Sequence, residues 1–294
     1  MSNPVMVSLD GSEKDARALA VAAALAELSG ADVQLVRVLA VPVGSLAARG
    51  GALGVADAAG ELRDATRRAL ASSADALAAD SGRAVTWEVL DGADVAGVLT
   101  RHAAEREARF LVMGTRAAGA AGRALRGSVA DRVMRESTRP VVLVPPGADY
   151  MRGKRVQVGR VLVPLDGSTL AARSVDYLLE LPHAEKLEYV LVEVIAPRGD
   201  DRARAEQRLG ALAERMRARG AKAVEVAVLE ADEPAAAIVG SIREALVELI
   251  AMSTRGAGGL RRMVLGSVAE GVVRASEVPV LLLTPADLGA AGTQ

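Results

Sequence analysis

The chain contains no cysteine among its 294 residues. Disulfides, thiolate nucleophiles and zinc–thiolate sites are therefore excluded. Aromatic residues are nearly absent too, at 2% of the chain, so a core must be built from small and branched side chains. Neither sign of charge dominates, with 36 Lys and Arg against 37 Asp and Glu. A balance of that kind offers no electrostatic footprint for DNA, RNA or an anionic membrane. The densest basic run, Arg152, Lys154, Arg155 and Arg160, carries no interleaved aromatics and reads as a solvated linker. Long apolar runs are missing as well. The longest uncharged one, Ala18 to Ala26, is far short of the ~20 residues that cross a bilayer. The opening MSNPVMVSLD shows no basic region followed by an apolar core, so no signal peptide is expected and a cytoplasmic location is.

What is present is a globular composition, 51% hydrophobic and 25% charged, in a chain long enough for two domains. Internal repetition divides it. VSLDGS (Val7 to Ser12) returns 156 residues later as VPLDGS (Val163 to Ser168). GSVADRVMRESTRPVVLVP (Gly127 to Pro145) returns 139 residues later as GSVAEGVVRASEVPVLLLT (Gly266 to Thr284). The first half thus carries an insertion of 17 residues, for which the Gly/Ala-rich stretch Gly44 to Gly60 is the candidate, read as a loop. The expected organisation is a first domain over 1–147, a linker over 148–159, a second domain over 160–287 and a tail over 288–294.

Within each half, short apolar runs alternate with helical patterns. In the first, VMVSL, VQLVRVLAV, AVTWEVL, FLVMG and PVVLV read as strands. Helices are expected between them, one stopped by Gly30, one over Glu61 to Asp80, one from about Asp94 to Glu107 and one opening at Gly127 and Ser128. The second half repeats the scheme with RVLVPL, LEYVLVEVI, AVEVAVL, ELIAMS and PVLLLT. Alternation with nearly all-apolar strands means a parallel sheet covered on both faces. Right-handed crossovers then predict two tandem doubly wound α/β domains of five strands each. In such sheets ligands bind beyond the carboxyl ends of the strands, where the winding reverses. Asp10 and Asp166 follow strand one of each half, and a glycine-rich loop follows strand four.

Those loops run through MGTRAAGAAGRALRGSVAD (Met113 to Asp131) and MSTRGAGGLRRMVLGSVAE (Met252 to Glu270). Each delivers the chain to a helix start, where unpaired N–H groups and a partial positive charge suit a phosphate. Glycine lets the backbone approach oxygen atoms without a Cβ in the way. Ser267 is placed to cap its helix and donate to a phosphate, and Arg255 or Arg261 to add charge. No G-x-x-x-x-G-K-[ST] occurs, and GAGGLR is misplaced for a dinucleotide fingerprint. Two readings stand for each feature. A Gly-rich loop also serves simply as a turn, and Asp-Gly-Ser is a good turn and helix cap as well as a ligand contact.

Taken together, G-x-x-G followed after nine residues by G-[ST], the strand ends before it and SVA(E/D)xVxR after it resemble the universal stress protein family. The likeness spans nearly the whole chain as two tandem domains. It implies a Rossmann-like sheet of order 3-2-1-4-5, with strands one and four side by side. Resemblance to the ATP-binding members implies ATP as cofactor, with Mg²⁺ held through its phosphates. Asp166 would then contact the ribose or adenine end and the backbone of Val194 the adenine edge. Gly256, Gly266, Ser267 and Val268 would wrap the phosphates. The matching first-half positions are Asp10, Val38, Gly127, Ser128 and Val129. The first glycine of the motif is Gly114 in the first half but Ser253 in the second, and the second is Gly256 in the second half but Ala117 in the first. Alanine where φ > 0 is required costs about 1–2 kcal/mol, so the second half is expected to be the better site.

His102 and His183 lie in helical patterns or at their ends, without metal-ligand partners at i+3 or i+4, and are expected to be exposed and structural. Asp200, Asp201, Asp232 and Glu233 suit helix starts. Trp87 and Tyr189 are expected in the core. No general base or positioned nucleophile is evident, so slow ATP hydrolysis is the most that is expected of a stress-response sensor or regulator. The competing readings are a nucleotide-free interaction scaffold and a nucleotide-dependent enzyme. Family resemblance also implies that the last strands of the two halves pair across an intrachain pseudo-two-fold axis, with a homodimer as a further step.

Overall fold

The computed structural model describes residues 3–40, 52–115, 129–146, 156–197, 201–254 and 265–290. In the first half the elements are β1 (Val5–Ser8), α1 (Asp15–Ser29), β2 (Val33–Leu39), α2 (Ala52–Ser81), β3 (Val85–Asp91), α3 (Val95–Glu105), β4 (Phe110–Gly114), α4 (Val129–Glu136) and β5 (Val141–Val144). The second half follows with β6 (Arg160–Leu165), α5 (Thr169–Leu179), a 3₁₀ turn (Ala184–Lys186), β7 (Glu188–Ile195), α6 (Arg202–Ala218), β8 (Ala223–Glu230), α7 (Pro234–Glu244), β9 (Leu249–Ser253), α8 (Ser267–Ala275), β10 (Val280–Leu283) and α9 (Pro285–Ala290). Gly30 ends α1 as expected. It adopts the left-handed conformation that glycine tolerates, and its N–H turns back to the Ala26 and Glu27 carbonyls.

The strands form one sheet in the order β3-β2-β1-β4-β5-β10-β9-β6-β7-β8. Each half is parallel and has the order 3-2-1-4-5 implied by the family resemblance. The halves join where β5 and β10 pair antiparallel, with Val142 opposite Leu281. Alternation along the strands sends Val5, Val7 and Leu35 to one face, under α1 and α2, and Met6, Val36 and Leu111 to the other, under α3 and α4. The second half does likewise, so each face has one apolar layer that continues across the seam. Further ties cross it. The Phe110 and Tyr177 rings meet edge to face at 6.3 Å, the His183 N–H donates to the Leu28 carbonyl at 3.1 Å, and Lys186 pairs with Glu27.

Four sequence expectations need correction. Helix α2 starts at Ala52, inside the stretch expected to be a loop. Its alanines and Leu53 are strong helix formers, and the long helix downstream carries Gly54 and Gly60 at about 1 kcal/mol each. Residues 44–51 of that stretch lie outside the described residues. Helix α9 occupies ground expected to be strand end and tail. Thr284 and Asp287 cap it reciprocally, with each side chain bonded to the other residue's N–H, and Leu288 is buried. Trp87 is 38% exposed on the edge strand β3, whereas Tyr189 is fully buried as expected. His102 is buried, since α3 turns it toward Gln34 on β2 and Glu88 on β3.

Candidate functional site

The site is built where β1 and β6 end. The carboxylate of Asp10 accepts the Ser12 N–H at 2.9 Å, and that of Asp166 accepts the Ser168 N–H at 3.0 Å. Both are Asx turns, and the glycine inside each has positive φ, 83° at Gly11 and 76° at Gly167. The helices that follow are capped differently. In the second half the Ser168 hydroxyl accepts the Ala171 N–H and caps α5. In the first, Asp15 reaches back from α1 to the N–H groups of Asp10 and Gly11. Burial raises the Asp15 pKa above the usual carboxylate value, against the pull of those two N–H donors.

The crevice beside each turn is set by how far the neighbouring ladder runs. β1 pairs with β4 as far as Ser8 opposite Met113, whereas β6 pairs with β9 only as far as Leu162 opposite Ile250. The cause is Pro164, the counterpart of Ser8. The Leu9 N–H goes to the Val36 carbonyl on β2, so strand alternation turns the Ser8 N–H toward β4. Proline has no N–H to give to β9 there, and the second crevice opens two residues deeper. The same alternation governs β2. Leu39 accepts the Gly92 N–H on the β3 side, so the N–H and C=O of Val38 point toward β1, past the place where β1 leaves the sheet. Ile195, which accepts the Ala231 N–H, sets Val194 in the same way.

Beyond β9, the Gly266 N–H donates to the Thr254 carbonyl at 2.9 Å, which brings the end of β9 to the start of the last helix of the sheet in the second half, α8. Gly266 is extended at the N-cap of α8, and no side chain caps the helix. Ser267 is thus the first helical residue rather than the cap expected from the sequence. The N–H groups of Ser267, Val268 and Ala269 have no acceptor among the described residues. In the first half Val129 opens α4 and is exposed.

Charges around the two turns differ. On β2, Arg37 lies against the first turn, and a Cβ added at Gly11 would stand 2.6 Å from its guanidinium. The counterpart of Arg37 is Glu193, which is buried and paired with Arg208 from α6. Arg208 brings its guanidinium over Gly167, 3.4 Å from where a Cβ would be. Each turn glycine therefore has a guanidinium against it, delivered from a strand in one half and from a helix in the other. Below the crevices, Arg132 of α4 binds Asp94 at the start of α3 through two bonds of 2.7 and 3.1 Å. Arg132 holds the Asp94 carboxyl below its ordinary pKa. The counterpart of Arg132 is Gly271, where α8 comes so near α7 that an added Cβ would stand 2.6 Å from the Ala235 Cβ.

The structure thus brings Asp166, Val194, Ser253, Gly266, Ser267 and Val268 to the carboxyl end of one half-sheet, and Asp10, Val38, Gly114 and Val129 to that of the other. Gly256, Gly127 and Ser128 lie outside the described residues. Sequence reasoning passed over Lys14, Arg37, Pro164, Glu193 and Arg208. Setting the repeats side by side at their 156-residue offset exposes the first four, as Lys14 against Leu170, Ser8 against Pro164 and Arg37 against Glu193. Arg208 gives no such signal, because only the fold brings α6 to the turn. Among the described residues no group of three or more His, Asp or Glu could hold a metal ion. No helix among them is long and apolar enough to cross a membrane.

Two tandem doubly wound half-sheets of order 3-2-1-4-5, with a turn and a helix start at each crevice, define a duplicated Rossmann-like α/β fold. The universal stress protein family model matches residues 1–145 and 157–284, and the chain belongs to that family. It is 28% identical over 294 residues to a universal stress protein of Mycolicibacterium smegmatis, covering 96% of this chain and 97% of that one. It is 30% identical over 186 residues to universal stress protein Rv2005c of Mycobacterium tuberculosis, covering 60% of this chain and 62% of that one. A universal stress protein from Archaeoglobus fulgidus has the same fold at a TM-score of 0.71 and 23% identity, over 97% of this chain and 99% of that one.

Proposed function

We propose that this chain is an ATP-binding regulator of the stress response, acting in the cytoplasm. Its nucleotide is held chiefly in the second half, with Mg²⁺ bound through the phosphates. The observation that carries this reading is the start of α8, where three consecutive N–H groups, at Ser267, Val268 and Ala269, lack an acceptor among the described residues and no side chain caps the helix. Such a terminus offers both donors and a favourable dipole to a phosphate. Asp166 stands on the ribose side. Val194 turns an N–H and a C=O toward the space left by β6, which suits an adenine edge. Ser253, Gly256 and Gly266 are the positions assigned to the phosphates. Asp10, Val38, Gly114, Gly127, Ser128 and Val129 play the same parts in the first half. The domains are taken as 1–147 and 160–287, joined by 148–159, with the seam able to support a homodimer of such chains.

Among the described residues no group near either turn is placed as a general base, so hydrolysis slower than about one turnover per minute is expected. Equilibrium dialysis of the full chain against labelled ATP tests the proposal. Saturable binding in the micromolar to low millimolar range is expected. No saturation up to several millimolar would leave the interaction scaffold as the better account.

A further inference from the structure

The first half has something that the second lacks. Lys14, the residue before α1, crosses from the Asp10 turn toward the end of β4. A Cβ added at Gly114 would stand 3.2 Å from the Lys14 Cβ and 3.8 Å from its Cδ. The stem of the lysine therefore runs over the bare backbone of Gly114, where the chain enters the glycine-rich loop. Glycine at 114 is what admits it, since a contact of 3.2 Å is tighter than a real Cβ ordinarily makes. The Lys14 side chain makes no hydrogen bond or ion pair among the described residues, though it is half-buried. In the second half both partners are changed: Leu170 stands for Lys14 and packs on the core, and Ser253 stands for Gly114 and is buried.

We infer that Lys14 is a phosphate-binding side chain particular to the first half. This rests on the nucleotide reading above and deepens it. Where the second half relies on backbone N–H groups in an opened crevice, the first keeps its ladder closed to Ser8 and has alanine at 117 in place of a loop glycine. A lysine ammonium adds a point charge to what backbone amides supply. Its position at the β4 end, away from β2, sets it at the phosphate end of a nucleotide that lies across β1. The ligand class is accordingly a nucleoside polyphosphate, and the contribution of Lys14 grows with the number of phosphates.

The test uses the full chain, photolabelled with an azido-adenosine triphosphate and mapped by half, alongside calorimetry with ATP and adenosine. Labelling of both halves is expected. Lys14→Ala should weaken ATP binding in the first half about 10- to 100-fold and leave its adenosine binding unchanged, while Lys14→Arg keeps most of the ATP affinity. An equal loss for adenosine would show a merely structural part and overturn the inference. So would first-half labelling that persists or rises in Lys14→Ala, the latter because the stem would then be an obstruction. Labelling of the second half alone overturns it while leaving the ATP reading standing. Labelling of neither half overturns both.

Discussion

The two halves share a fold and the Asp turns at their strand ends, yet they differ in what surrounds those turns. In the first, the β1–β4 ladder is closed to Ser8, Lys14 covers Gly114, and α3 is tied to α4 by the Asp94–Arg132 pair. In the second, Pro164 cuts the β6–β9 ladder short, Glu193 and Arg208 pair with each other, and α8 comes against the Ala235 Cβ of α7 at Gly271. Duplication preserved the apolar layers, because every buried strand position serves the common core. It left the strand ends free to diverge, since little packing depends on them. A tandem chain can therefore hold two unequal sites on one sheet.

The sharpest way to break this comparison is to exchange its causes. Ser8→Pro should remove a ladder bond in the middle of the sheet and leave its β4 acceptor unpaired, costing about 3 kcal/mol in chemical denaturation. Pro164→Ser should do the reverse, adding about 1 kcal/mol as the β6–β9 ladder lengthens and lowering the affinity of the second half for ATP in dialysis. If Pro164→Ser leaves both stability and affinity unchanged, the proline does not set the width of the crevice.

The helix pairs beneath the crevices give the next largest effect. Gly271→Ala puts a Cβ against that of Ala235 and must part α7 from α8, at about 2 kcal/mol in the denaturation midpoint. Arg132→Ala, at the matching position, removes only solvent-exposed ion pairs, to Asp94 and Glu136, and should leave the midpoint unchanged within error. Smaller again is the loss from Arg208→Ala. It strands the buried Glu193 carboxylate, but solvent reaches the arginine, so about 1–2 kcal/mol is expected rather than the full cost of a broken buried pair. Arg37→Ala, with no carboxylate in salt-bridge contact among the described residues, should be near neutral.

Much of this molecule was readable in its sequence because the signals are local. Apolar strand runs, the Gly30 stop and the two repeats each declare themselves within a few residues, and handed crossovers then leave few arrangements. Strand order and intrachain pairing were implied by the family likeness rather than by periodicity. Helix α9 was legible in Thr284-Pro285-Ala286-Asp287, a capping box with proline at its first turn, but passed as strand end and tail. Others could not be read so. Trp87 looks like core until β3 proves to be an edge. The engagement of the Gly266 N–H by Thr254 and the arrival of Arg208 at Gly167 are non-local facts that no spacing rule contains.

His102 supplies the smallest effect and confines it to one half, because its counterpart is Ser241. Burial lowers the His102 pKa, with the Glu88 carboxylate opposing and Arg106 adding to the shift. Among the described residues Gln34 from β2, Glu88 from β3, Glu105 at the end of α3 and Arg106 just after it are the polar groups around the ring, and the Gln34 Oε1 has no hydrogen-bond partner there. The unfolded chain takes up a proton at this histidine near pH 6.5, while the folded chain does so only at lower pH. Unfolding therefore binds a proton in that window, and stability present above pH 6.5 is lost as the pH falls through it. His102→Gln should flatten that slope in denaturation series between pH 7.5 and about 5, with Ser241→Ala as a control that leaves it unaltered. A slope that survives His102→Gln would move the origin of the pH response away from α3.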